Sequence, residues 1–264
     1  MYKFLTISPL CGYAKKLLLV LCFLAIFCVT TQAVEIHRWK FDETSGSTVY
    51  DSIGGVHGTM YGGAYLSSGA GQFDGSNDYV QLNQTIRLHD EANWTISVWY
   101  KGLANYGTGT GGATLVGTLG SSWWASLNLV EGKAKYLHAT NNGYEPGWDN
   151  LIGTSNVANN QWHNIIIRNY SNRTADVIVD GVVEVSGSSL LAGTPSQDIM
   201  SFRLDYFMMG DPGAYTSGAL KDVRVFNHTL SNAEISTITS VSVPEPATWI
   251  SMLLVLVYFL RKKQ

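Results

Sequence analysis

Residues 174–186 (TADVIVDGVVEVS) narrow the fold more than any other stretch of the chain. Asp180-Gly181 stands between two β-branched runs there. That dipeptide tolerates the paired positive φ angles of a tight hairpin turn, so the segment predicts two antiparallel strands. Other segments carry the same two-residue period. Residues 35–42 (EIHRWKFD) set His37, Trp39 and Phe41 on one face. Residues 94–100 (WTISVWY) set Trp94, Ile96, Val98 and Tyr100 on one face and Thr95, Ser97 and Trp99 on the other. In residues 161–170 the run Ile165-Ile166-Ile167 suits a strand covered on both sides. Residues 220–227 (LKDVRVFN) read as a further strand. Gly-rich turns separate these runs, and no repeat of about 20 to 50 residues is found. The expectation is an all-β, two-sheet antiparallel sandwich with six or seven strands per sheet. One short helix is specified as well. Ser231 is its N-cap, Glu234 completes a capping box, and Leu230 and Ile235 form a hydrophobic staple. It is expected to pack across the end of the sandwich.

The two ends of the chain read differently. Lys15 and Lys16 precede the uncharged run 17–29, whose 13 residues suit the apolar core of a signal peptide. Thr31-Gln32-Ala33 places small residues for cleavage before Val34; an uncleaved N-terminal anchor is the alternative. Cys11, Cys22 and Cys28, the three cysteines of the chain, all lie in this segment, so the mature domain is expected to have no disulfides. At the other end, Val243-Pro244-Glu245-Pro246 precedes the apolar run 247–260 and the basic Arg261-Lys262-Lys263-Gln264. Fourteen apolar residues make a helix of about 21 Å against a hydrocarbon core of about 30 Å, so such a helix spans only with its flanks. The basic cluster suits a cytoplasmic end. The organisation expected is a signal peptide helix at 1–33, a β-sandwich at 34–240 and a tail with a transmembrane helix at 241–264.

Charge then excludes one class of partner. Residues 34–243 hold 11 basic and 19 acidic residues, a net charge of −8. Phosphate contact rests on Lys and Arg, so nucleic acid is disfavoured. An acidic surface mainly favours solubility outside the cell.

Two resemblances follow from the motifs. Pro244, Glu245 and Pro246, with the apolar helix and basic end, resemble the PEP-CTERM sorting signal of Gram-negative bacteria. That resemblance implies an exosortase as partner, a transient inner-membrane anchor, and delivery to the cell envelope or an extracellular matrix near exopolysaccharide. A plain C-terminal membrane anchor is the alternative. The middle of the chain resembles the laminin-G-like, concanavalin A-like jelly roll. The carriers are Trp39-Lys40-Phe41-Asp42-Glu43 with Ser45-Gly46, Asp51-Ser52-Ile53-Gly54-Gly55, and Phe73-Asp74-Gly75-Ser76-Asn77-Asp78-Tyr79-Val80. Trp94-Thr95-Ile96-Ser97-Val98-Trp99, Trp162-His163, Val179-Asp180-Gly181 and Asp222-Val223-Arg224-Val225-Phe226-Asn227 continue the order.

Three kinds of site are weighed. The jelly-roll resemblance implies Ca²⁺ at the sandwich edge, with Asp42, Asp51 and Asp222 as candidate ligands. Lys221 stands where the family tends to have a second acid. The alternative makes Asp42 and Asp51 turn formers that bond their own backbone. For a carbohydrate ligand the candidates are Trp123, Trp124, Tyr144, Trp148, Asp149 and Asn150. Flat aromatic faces pack against sugar C–H groups, and Asp and Asn accept hydroxyl protons. The alternative is core packing, which is the expectation for Trp39, Trp94, Trp99 and Trp162. Catalysis by a glycosidase needs two flanking carboxylates. Asp176 and Asp180 share a strand face but are expected to face solvent beside the hairpin. His163 lacks a companion nucleophile motif. The functional expectation is therefore an exported, non-catalytic, lectin-like module that binds extracellular polysaccharide. A structural or adhesion protein that engages a surface protein, and a carbohydrate-active enzyme, are the alternatives.

Overall fold

The Asp180-Gly181 turn forms as its sequence predicts: φ is 50° at Asp180 and 83° at Gly181, the double positive value of a type I′ hairpin. The structure is a computed structural model, and it describes residues 34–88, 93–103, 113–117, 125–139, 148–172, 174–188, 203–207 and 217–240. Residues 1–33 and 241–264, which carry the expected signal peptide and sorting tail, lie outside the described residues. No helix among the described residues is long and apolar enough to cross a membrane.

In chain order the strands are β1 (Glu35–Trp39), β2 (Thr48–Val49), β3 (Gly58–Tyr61), β4 (Tyr65–Ser67), β5 (Ala70–Asp74), β6 (Tyr79–Arg87), β7 (Trp94–Lys101) and β8 (Ala113–Gly117). They continue with β9 (Ala125–Val130), β10 (Lys133–Ala139), β11 (Trp148–Asn156), β12 (His163–Asn169), β13 (Thr174–Val179), β14 (Val182–Ser188), β15 (Arg203–Phe207) and β16 (Ser217–Phe226). One helix, α1 (Asn232–Ser240), follows. The first sheet runs β14-β13-β12-β7-β16-β5-β4, with β1 paired to β16; the second runs β11-β10-β9-β8-β15-β6-β3-β2. All recorded pairs are antiparallel, as a jelly roll requires. Each sheet has eight strands rather than six or seven. The surplus comes from β2, β3 and β4, whose two to four residues are too short to show alternation in sequence.

The core lies between the sheets. Trp39, Trp94, Ile96, Val98 and Tyr100 are buried in it against Leu127, Leu129, Tyr136 and Phe207. Trp39 meets Phe207 edge-on at 5.1 Å. The isoleucine run divides as its strand position demands: Ile165 and Ile167 join the central core, while Ile166 joins a second cluster with Ile178, Phe226, Leu230, Ile235 and Ile238. That second cluster is the seat of α1. The helix therefore lies on the outer face of the first sheet and not across the end of the sandwich. Its capping box is formed, with the Ser231 N–H donating to Glu234 Oε2 at 2.7 Å and the Glu234 N–H donating to Ser231 Oγ at 3.3 Å. The staple residues Leu230 and Ile235 are buried.

The start of α1 also covers a charged cluster. Arg168 donates to Asp176 Oδ2 from Nε at 2.9 Å and from Nη2 at 2.7 Å, and to the Leu230 carbonyl at 2.9 Å. Asp176 is 6% exposed, which corrects the solvent-facing expectation. Its carboxylate is enclosed by the Arg168 guanidinium and the Tyr170 and Ser186 hydroxyls. Asp180, by contrast, is exposed. At one side of the sandwich the two sheet edges meet. Glu184 of β14 accepts the N–H groups of Thr154 and Ser155 in β11, at 2.8 and 3.2 Å. These amides on an edge strand are thereby satisfied within the fold.

Candidate functional site

Helix α1 covers only part of the outer face of the first sheet. Its last turn is tied down where Thr239 Oγ1 donates to Asn164 Oδ1 at 3.1 Å. Asn164 pairs with Trp99 across β12 and β7, so among the described residues no helix covers the outer face beyond this point. There a groove of about 470 Å³ opens, a size suited to a small ligand.

Strand register builds its floor. Tyr65 of β4 pairs with Gln72 of β5, Gln72 with Ala219 of β16, and Ala219 with Lys101 of β7. All four point away from the core, because their neighbours Leu66, Phe73, Leu220 and Tyr100 point into it or pack on it. Three inter-strand steps of about 4.8 Å make a row about 14 Å long. In a second row Trp99 pairs with Lys221 and Ala70 with Ser67. The small side chains of Ala70 and Ala219 leave a trough between Tyr65 and Lys101. At Gly218 φ is 135°, and an added Cβ would lie 2.5 Å from the Lys101 carbonyl oxygen, so the floor admits no side chain there.

One wall comes from the turn between β11 and β12, which brings Asn160 and Trp162 to the groove. This turn is held at several points. The Val157 N–H donates to the Gly132 carbonyl at 2.8 Å and the Asn160 N–H to the Gly102 carbonyl at 2.9 Å. His163 bridges Asp180 Oδ2 at 2.7 Å and Asn159 Oδ1 at 3.0 Å. This places His163 as a brace under the wall. Lys221 Nζ sits 4.1 Å from the centre of the Trp162 ring and 5.8 Å from that of Trp99, which fixes both indoles by cation–π attraction. Trp99 and Trp162 are half-buried on this outer surface, so the core assignment holds for Trp39 and Trp94 alone among the four. Asp74 lines the groove as well, with Oδ1 accepting the Ser76 N–H at 2.7 Å.

Trp123, Trp124 and Tyr144 lie outside the described residues. The backbone of Trp148, Asp149 and Asn150 opens β11 in the second sheet, opposite Ala139, His138 and Leu137 of β10.

Two of the acidic candidates for calcium have protein partners instead. Asp51 Oδ1 accepts the N–H groups of Arg38, Ile53 and Gly54 at 2.9, 3.0 and 3.0 Å. Its Oδ2 accepts Val56 N–H at 3.0 Å and bonds His37 Nδ1 at 2.6 Å. Burial pushes the Asp51 carboxyl up, but these hydrogen bonds outweigh it and hold the group below the usual carboxylate range. Asp222 sits at a bulge in β16 with φ of 48°. It binds Arg38 Nε at 2.7 Å through Oδ1 and Arg224 Nη2 at 2.6 Å through Oδ2. Burial raises its pKa too, and the two guanidinium groups reverse that and lower it. Asp42 is exposed. Ca²⁺ takes six to eight oxygen ligands, and a carboxylate filled by amides or flanked by two arginines does not supply them. Asp51 and Asp222 therefore do not fit the ion, which leaves the exposed Asp42 alone of the three candidates. Among the described residues no three His, Cys, Asp or Glu side chains are grouped to hold a metal.

Comparisons with known proteins agree with this architecture. The Laminin_G_3 model of the concanavalin A-like lectin/glucanases superfamily matches residues 74–236. Domain 4 of AbnA, a GH43 extracellular arabinanase from Geobacillus stearothermophilus solved in complex with arabinotriose, superposes with a TM-score of 0.60 at 16% identity, over 79% of this chain and 99% of that one. The binding domain of botulinum neurotoxin serotype D gives 0.62 at 14% identity, over 80% of this chain and 52% of that one. The binding domain of botulinum neurotoxin DC in complex with SialylT gives 0.58 at 14% identity, over 78% and 50%. The chain thus spans about half the length of the neurotoxin domains. No curated protein matches it.

Proposed function

The chain belongs to the concanavalin A-like lectin/glucanase superfamily, and on that premise we propose that it is a non-catalytic module that binds polysaccharide in the groove on the outer face of its first sheet. One observation carries the reading. A braced tryptophan wall, Trp162, faces a trough whose rim holds the hydrogen-bonding side chains of Gln72, Asn160 and Tyr65. Flat apolar surface beside polar groups is what a sugar ring recognises. The arabinotriose bound to domain 4 of AbnA supports a sugar ligand on a sandwich of this kind. Among the described residues Asp74 is the one carboxylate lining the groove, whereas hydrolysis of a glycosidic bond needs two.

The module works outside the cytoplasm. The apolar run 17–29 directs export, and Pro244, Glu245 and Pro246 with the helix 247–260 direct sorting by an exosortase to the envelope or matrix. A second set named from sequence, Trp123, Trp124, Tyr144 and Trp148 with Asp149 and Asn150, provides a further candidate sugar surface.

A polysaccharide panel tests the proposal. The purified protein is expected to be retained by at least one polymer, and Trp162→Ala to lose that retention without a change in melting temperature. Retention by none contradicts the binding reading and favours a structural or adhesion role. Turnover of any polymer contradicts the non-catalytic assignment. Mass analysis of the protein isolated from its source tests the tail: a product that keeps residues 247–264 rejects processing by an exosortase.

A further inference from the structure

We infer that the groove selects a polysaccharide that carries negative charge, with Lys101 as the residue that reads it. The inference rests on the groove being the sugar site and names the class of sugar it takes.

Three observations lead there. Lys101 closes the cross-strand row Tyr65–Gln72–Ala219–Lys101, and the next residue on the sheet floor is alanine. Lys101 thus lines the trough next to a residue too small to cover it. Among the described residues no carboxylate forms an ion pair with it, although Arg38, Arg168 and Arg224 all have one. A lysine on an acidic domain ordinarily has ready partners; here residues 34–243 hold 19 acids against 11 bases. The lysine nearest the tryptophan wall, Lys221, is turned onto the Trp162 and Trp99 rings, which leaves Lys101 as the lysine that lines the groove. Asp74 also lines the groove, on β5 beside Ser217, with one oxygen occupied by the Ser76 N–H.

A sugar that stacks on Trp162 and bridges toward Gln72 passes Lys101. A carboxylate or sulfate on that sugar gains a charge-assisted hydrogen bond, which a neutral sugar cannot make. The same positions give a neutral hydroxyl only an ordinary contact. Selectivity then comes from one ammonium in a shape that is otherwise tolerant, a difference of affinities rather than a lock.

The test compares one polymer in two charge states. Sodium polygalacturonate and its carboxyl-reduced, neutral counterpart are titrated into the protein, with dextran sulfate and debranched arabinan as further arms. Wild type is expected to bind polygalacturonate roughly tenfold more tightly than the reduced polymer, as one exposed charge-assisted bond allows. Lys101→Gln is expected to bring the two affinities together by weakening the charged polymer alone, and Lys101→Arg to keep the preference. Lys40→Gln, an exposed charge outside the groove, serves as the control and is expected to leave it intact. Lys101-dependent binding of dextran sulfate as well supports recognition of negative charge in general; binding of polygalacturonate alone narrows it to a carboxylate. Equal binding of both polygalacturonate forms by wild type, with loss in Trp162→Ala, overturns the charge inference and leaves the groove as the sugar site. Binding of none of the four polymers overturns both.

Discussion

Removing the charge of Asp176 probes how the sandwich and its helix are joined. In Asp176→Asn the side chain keeps its size but leaves the Arg168 guanidinium buried beside a neutral group. Arg168 is 7% exposed and Asp176 6%, so water compensates little. Four contacts are affected: the two from Arg168, the Tyr170 hydroxyl at 2.7 Å and the Ser186 hydroxyl at 2.6 Å. Breaking a buried pair from one side costs about 3 to 5 kcal/mol. For a domain of this size that lowers Tm by roughly 6 to 20 °C. Because Arg168 also holds the Leu230 carbonyl and Asn232, α1 is expected to loosen first. Urea denaturation at neutral pH, followed by circular dichroism, measures the loss. The double variant Asp176→Leu with Arg168→Met is expected to recover most of it, since replacing both charges by apolar groups is often neutral. The pH dependence has a fixed sign. Burial raises the Asp176 carboxyl, but Ser186, Tyr170 and Arg168 outweigh burial and lower it. Its contribution is therefore full above the ordinary carboxyl value of about 3.9 and is lost as pH falls below that toward the folded value. Asp176→Asn is expected to lack this acid component. A variant within about 0.5 kcal/mol of wild type refutes the buried-clamp account, because surface changes stay in that range.

Two further outcomes follow from local geometry. Glu234→Ala removes half of the capping box and is expected to cost about 1 kcal/mol in a denaturant melt, with faster hydrogen exchange in the first turn of α1. Glu184→Ala leaves the Thr154 and Ser155 amides without their acceptor, so both are expected to exchange faster while amides of β12 stay protected; unchanged exchange contradicts the edge-closing role.

Much of this architecture is legible in residue order because its causes are local. The Asp180-Gly181 turn, the two-sided isoleucine run of β12 and the Ser231–Glu234 box each act within a few residues. The groove is not local. Trp99 sits on the face of β7 opposite the core, which the alternation of 94–100 already implies, but whether that face is covered depends on where α1 ends. Only the Thr239–Asn164 contact shows that the helix stops short of Trp99. An indole in an alternating strand reads as core for the same reason. Asp176 is the mirror image: its strand looks solvent-facing in sequence, but Arg168, Tyr170 and Ser186 close around its carboxylate. Asp51 and Asp222 show a further limit. An Asp in a Gly-rich loop has the same sequence whether it serves a cation or its own backbone amides, and the five hydrogen bonds on Asp51 decide between them.

NMR of the tryptophan indole N–H signals during titration, with a polymer that the panel retains, tests the placement of the sugar site most directly. Trp162, which lines the groove, is expected to shift strongly, and Trp99 to follow through the Lys221 ammonium that lies against both rings. Trp39, whose Nε1–H is held by the Val56 carbonyl at 2.7 Å in the core, is expected to stay in place as the internal control. Shifts confined to Trp123, Trp124 and Trp148, with Trp162 unmoved at saturation, contradict the groove and assign the ligand to the second sheet.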